Sequence, residues 1–145
     1  MTTTPTEHLK TITHEFFRVW NGGDLSVIDE HFADDYVAHD ASVPGGLHGP
    51  EGYKTWVEMY RNAFPDLESR IADIVAEGDT VAVRYSHRGT QEGEFLGVEP
   101  TGGVLEGTGM SFIRFEDGKV KEEWYADDSL ILLQKLAENE SESPG

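Results

Sequence analysis

The chain is 145 residues long, 37% apolar and 10% aromatic, with 11 Lys and Arg against 28 Asp and Glu, a formal charge of −17. The length suits one domain, and the charge repels phosphate backbones and anionic lipid, which excludes nucleic-acid and membrane-surface roles. With no cysteine in the chain, disulfide scaffolds, zinc–thiolate sites and cysteine nucleophiles are excluded as well.

The amino terminus MTTTPTEHLK has no apolar h-region, and no apolar run approaches the roughly 20 residues that span a bilayer. A cytoplasmic protein is expected. Leu9, Ile12, Phe16, Val19 and Trp20 recur at helical spacing, so a helix is predicted over 6–20, stopped by Asn21-Gly22-Gly23. Asp24 then caps a short helix to about His31, with Leu25, Ile28 and Phe32 facing inward. Tyr36 to His39 reads as a short extended piece, followed by a Gly- and Pro-rich loop over 42–50. A third helix is predicted over 50–63, with proline in its first turn and Tyr53, Val57, Tyr60 and Phe64 as its apolar stripe. Residues 67–127 read as antiparallel strands: Val81, Val83 and Tyr85 alternate with Arg84 and Ser86, and Glu77-Gly78-Asp79 and Glu116-Asp117-Gly118-Lys119 are turn signals. A Leu-rich helix is expected over 129–137, then a polar tail. Helices first and a strand meander afterwards give an α+β fold, one curved antiparallel sheet with helices on one face.

No phosphate-cradling glycine loop, His-Glu-x-x-His pattern or Gly-x-Ser-x-Gly elbow occurs. His39, Asp40 and His48 read as solvated loop residues rather than as a metal site. Alternation along the last strand puts Val120, Glu122, Trp124, Ala126 and Asp128 on one face, and Lys119, Lys121, Glu123, Tyr125 and Asp127 on the other. Asp128 is then either a helix cap for Ser129 or a carboxylate on an apolar wall, where desolvation raises its basicity. His87 shares the parity of Val81, Val83 and Tyr85 and reads as a pocket base or as an exposed strand-end histidine. Phe16, Trp20, Tyr60 and Phe64 line a cavity or fill the core. Leu105, Ile113, Phe115 and Tyr125 fall on the outer parity, a patch of the kind that marks an interface.

The stretches FFRVWN, GDLSVIDEHFADDYVAHD, FPDLESRIADIVAEGDTVAVRYSHRGTQEGEFLG and PTGGVLEGTGMSFIRFEDGKVKEEWYADDSLILLQKL resemble the SnoaL-like polyketide (ester) cyclases over almost the whole chain, from Thr6 to Leu136. The resemblance implies a cone-shaped fold of the nuclear transport factor 2-like type over a single domain, with an apolar pocket between sheet and helices. It implies an intramolecular aldol condensation of a polyketide ester without metal or organic cofactor. The acid/base of the Trp-x-x-x-Asp motif falls on Asp128. Gln91 stands where the family often has histidine, so an amide takes the place of a ring nitrogen as donor to an enolate. The expected ligand contacts are Phe16, Trp20, His39, Tyr60, Met110 and Trp124, around a small hydrophobic molecule. The resemblance also implies a homodimer, formed through the outer face of the sheet.

Two other functions fit parts of the pattern. Asp40 stands where ketosteroid isomerases keep their base, although Phe16 and Phe17 replace the tyrosine such enzymes use. A protein that only binds a hydrophobic molecule is the reading from outside enzymology.

The acidity carries its own expectation. Self-repulsion at −17 opposes the compact state until salt screens it; the Debye length falls from roughly 10 Å at 0.1 M to about 3 Å at 1 M. A salt-loving source is expected, and the thermal midpoint should rise between 0.1 M and 2 M KCl. A midpoint indifferent to salt contradicts this.

Overall fold

The computed structural model describes residues 5–40, 45–128, 134, 135 and 138. Helix α1 covers Pro5–Phe17 and buries Leu9, Ile12, Thr13, Phe16 and Phe17. A tight 3-10 turn, Arg18–Asn21, continues it until Gly22 at φ 87° ends the run, a left-handed conformation that glycine adopts without a Cβ clash. Helix α2, Ser26–His31, begins where the Asp24 carboxylate accepts the Ser26 N–H at 2.9 Å. Helix α3, Gly49–Ala63, has proline in its first turn and buries Tyr53, Val57, Tyr60 and Ala63.

Six strands make one curved sheet: β1 Phe32–His39, β2 Leu47–His48, β3 Glu68–Glu77, β4 Thr80–Thr90, β5 Val104–Glu116 and β6 Lys119–Asp127. Their spatial order is β2-β1-β6-β5-β4-β3. The four-stranded antiparallel meander agrees with the sequence pattern. The sheet departs from it at the other edge, where the piece expected over 36–39 is an eight-residue strand running parallel to β6. Strand β2 lies inside the expected loop; residues 41–44 of that loop are outside the described residues, as is most of the Leu-rich segment 129–137, of which Gln134 and Lys135 are helical. Among the described residues no helix is long and apolar enough to cross a membrane.

The helices cover one face of the sheet, and a T-shaped and tilted aromatic cluster fills the space between. Phe32 is fully buried, with ring centroids 5.1 Å from Phe16, 4.7 Å from Tyr36 and 4.8 Å from Tyr53. Such pairs add roughly 0.5–1.5 kcal/mol each beyond the area they bury.

A bulge in β6 decides which of its side chains face the helices. Phe115 pairs with Val120 but Arg114 pairs with Glu122, so Lys121 is an extra residue on β6. An extra residue bends a strand and reverses the alternation beyond it. Val120 points inward, and so do Glu123, Tyr125 and Asp127; Trp124, 41% exposed, points outward. The uninterrupted alternation expected from sequence is therefore corrected, as is the outer patch. Leu105, Ile113 and Phe115 are buried in the core, and the exposed apolar residues of the outer face are Val75, Met110, Phe112 and Trp124.

Deleting Lys121 removes the extra residue and forces either Val120 or Glu123 onto the wrong face. The deletion should abolish the cooperative melt, whereas Lys121→Ala, which keeps the bulge and loses only an ion pair with Asp35, should shift the midpoint by little. Equal melts for the two variants contradict the placement.

Candidate active site

A narrow cavity opens between the helices and the inner face of the sheet. The helical wall consists of Phe17, Trp20, Tyr53, Trp56 and Tyr60; Leu67 and Ser69 close one side. Trp20 donates its indole N–H to the Tyr53 hydroxyl at 2.9 Å and meets Tyr60 edge-on, with centroids 5.3 Å apart. The end of the first helical run is clasped to β3 by Asn21, which accepts the Ser69 N–H at 2.6 Å and donates to the Ser69 carbonyl at 2.9 Å. This fixes Trp20 at the cavity wall.

The sheet wall supplies the polar groups: Tyr85 and His87 from β4, Tyr125 and Asp127 from β6, and Asp40 just past β1. Gly109 on β5 lets Tyr85 and Asp127 meet. A Cβ there would lie 2.5 Å from the Tyr85 hydroxyl oxygen and 2.8 Å from the Asp127 Cβ. Burial, reinforced by the Asp127 charge, holds the Tyr85 phenol neutral far above its ordinary range.

Beneath the cavity lies a buried carboxylate. Glu123 is 1% exposed; Tyr36 donates to its Oε1 at 2.7 Å and Ser111 to its Oε2 at 2.6 Å. Burial pushes the Glu123 carboxyl up to about 6, opposed by these hydroxyl donors. The buried Tyr125 hydroxyl lies close enough to Glu123 to favour its charged form, yet makes no hydrogen bond of standard geometry among the described residues.

At the far end of β4, His87 belongs both to the cavity wall and to a neighbouring groove that contains Asp128. Asp128 accepts the Thr108 N–H at 3.1 Å through Oδ2, while its Oδ1 is buried without a partner among the described residues, and so is Nε2 of His87. Burial lowers the proton affinity of His87, with Asp128 and then Asp127 pulling the other way.

Of the residues expected from sequence to contact a ligand, Trp20 and Tyr60 line the cavity. Phe16 is packed in the core behind it. His39 lies on the outer face, stacked on Trp124 at 5.6 Å and bonded to Glu122 at 2.8 Å, and Met110 and Trp124 are exposed there. Gln91 is fully buried in the loop after β4, where its Nε2 donates to the carbonyls of Gly93 at 3.1 Å and Val98 at 2.9 Å. Both amide hydrogens are thereby engaged, so Gln91 has none left for an enolate. His48 bonds the Gly45 carbonyl at 2.7 Å, and among the described residues no three His, Asp or Glu side chains gather as a metal site. The sequence reading missed Glu123, Tyr125 and Asp127 as inward residues because it carried one alternation through the bulge. Tyr85 and His87 were already on the inner parity.

Comparison with known proteins gives a consistent result. The family model described as SnoaL-like polyketide cyclase matches residues 10–136. The aklanonic acid methyl ester cyclase AcmA of Streptomyces galilaeus is 30% identical over 93 residues, which span 59% of this chain and 64% of that protein, slightly under two thirds of its length. Among solved structures, AclR of Streptomyces galilaeus, a candidate hydroxylase, superposes with a TM-score of 0.79 at 33% identity over 92% of this chain and 98% of that one. IdmH of Streptomyces antibioticus, a candidate polyketide cyclase, does so with a TM-score of 0.74 at 34% identity over 88% and 97%.

Proposed function

Since the chain belongs to the SnoaL-like polyketide cyclase family, we propose that it closes a carbon ring in a polyketide ester by intramolecular aldol condensation, with Asp128 as acid/base and His87 beside it. The observation that carries this reading is the pair of buried atoms at the cavity end of the sheet, Asp128 Oδ1 and His87 Nε2, that have no partner among the described residues. Buried polar atoms without partners are rare, and a pair of them beside a cavity fits groups whose partner is a guest.

The steps balance without an external electron acceptor. The Asp128 carboxylate takes a proton from carbon flanked by two carbonyls, and the C–H electron pair enters the enolate. The enolate carbon attacks a ketone of the same molecule; a C–C bond forms and the ketone π pair moves to oxygen. The resulting alkoxide takes the proton back from Asp128, directly or through the neutral imidazole of His87. A carboxylate suits this chemistry because carbon flanked by two carbonyls is acidic enough for it to deprotonate. The aromatic helical wall, Trp20, Trp56 and Tyr60, accepts a flat ring system.

Asp40 and Asp127 line the cavity itself, whereas Asp128 lies in the groove beside it, so the base must be told apart from them. Incubated with aklanonic acid methyl ester, the ester for which the Streptomyces galilaeus relative is named, the wild type should yield the cyclised product. Asp128→Asn keeps an oxygen for the Thr108 N–H but cannot accept the proton. It should fold normally and lose at least about 100-fold in turnover, while Asp127→Asn and Asp40→Asn lose less. Full activity of Asp128→Asn contradicts the assignment.

The homodimer belongs to the same proposal. The outer face presents Met110 and Phe112 at 57% and 59% exposure beside Val75 and Trp124, a patch whose burial against a second copy would remove apolar surface from water. Light scattering in high salt should give twice the chain mass at micromolar concentration, and Phe112→Glu should halve it. A monomeric wild type contradicts this.

A further inference from the structure

We propose that Tyr125 is the hydrogen-bond donor that fixes a carbonyl oxygen of the bound molecule, and that Glu123 is the residue that positions its hydroxyl. The nature of the guest, a flat molecule bearing a carbonyl, rests on the cyclase reading; the donor rests on geometry. Tyr125 lines the cavity, and its buried hydroxyl, close to Glu123, Tyr36 and Tyr53, makes no hydrogen bond of standard geometry among the described residues. A phenol in that state lowers its free energy when a guest brings an acceptor to it. Burial also keeps the Tyr125 phenol protonated far above its ordinary range, so it always has a hydrogen to give.

Glu123 lies two residues earlier on the same face of β6, below the cavity. The groups that face it are Tyr36 and Asp40 from β1 and its end, Tyr53 from α3, Tyr85 from β4, Ser111 from β5 and Tyr125 itself. None of these is a cation. The carboxylate is therefore held by hydroxyl dipoles alone, with Tyr36 and Ser111 occupying one site on each oxygen. When Glu123 carries a proton, the Tyr125 hydrogen is directed to the guest. When Glu123 is ionised, it draws that hydrogen towards itself and the guest is held less tightly. The raised proton affinity of Glu123, near 6, places the change in the range where an assay can follow it.

The test is binding of 1,8-dihydroxyanthraquinone, which has carbonyls, against anthracene, which has none, followed by quenching of the cavity tryptophans Trp20 and Trp56. Tyr125→Phe should weaken the anthraquinone about tenfold and leave anthracene unchanged. From pH 5 to 7 the wild type should lose anthraquinone affinity about threefold or more, and Glu123→Gln should flatten that profile; comparing the two separates Glu123 from His87, which both retain. Equal losses for both compounds in Tyr125→Phe, or no loss for either, overturn the donor. A wild-type pH profile in Glu123→Gln overturns the positioning role. If Tyr125→Phe fails to fold, 3-fluorotyrosine at position 125, a stronger donor of the same shape, should tighten anthraquinone binding, and unchanged affinity overturns the proposal. If the wild type binds neither compound, the donor and the cyclase reading both fall. If the anthraquinone is discriminated while the ester is not converted, only the cyclase reading falls.

Discussion

The one extra residue in β6 sets the character of the site. With Lys121 outside the register, the strand packs Val120 against the core and then turns Glu123, Tyr125 and Asp127 to the same side. Without the bulge, the inner face of β6 would continue with Glu122 and Trp124, and the cavity would lose its acidic and phenolic wall. The parallel neighbour β1 accommodates the same irregularity: Phe32 pairs with Val120 and Val37 with Glu122, so four residues of β1 lie opposite a single one of β6. Bulges of this kind re-aim side chains beside functional sites.

Turning a glutamate inward costs desolvation energy, and the surrounding chain offsets part of it with hydroxyl groups. Tyr36 and Ser111 each donate to Glu123, and both come from strands that flank β6 in the sheet. Among the described residues no cation shares the cage, so burial dominates and the carboxyl keeps its proton to higher pH. The sign for stability follows. The folded state binds this proton more tightly than the unfolded chain, so the group favours folding below about pH 4.5, and that benefit is lost as pH rises towards 6. The fold tolerates this because the aromatic cluster around Phe32 is fully buried and densely paired.

Helices and meander were legible because their signals are local. The spacing of Tyr53, Val57, Tyr60 and Phe64 and the alternation of Val81, Val83 and Tyr85 need no partner to be read. Strand β1 was underestimated because Ala33, Asp34 and Asp35 break its apolar pattern, and its pairing with β6 spans about 85 residues of sequence. The bulge has no signature in EEWYAD itself; it exists through the register between β5 and β6. That one miss moved Trp124 from the expected pocket to the exposed face and hid Glu123. Gln91 was misread for a different reason: its amide satisfies a loop, and such contacts form only after the loop has folded.

Glu123 is an inward carboxyl under the cavity, held by hydroxyl donors without a cation among the described residues. The most direct measurement is a titration of the Glu123 side-chain carboxyl carbon by NMR, assigned by its loss in Glu123→Gln. A midpoint near 6 is predicted, well above that of an ordinary exposed glutamate. A midpoint at or below the ordinary glutamate value would place Glu123 in solvent or against a cation, and would contradict the register of β6 and the cavity built on it.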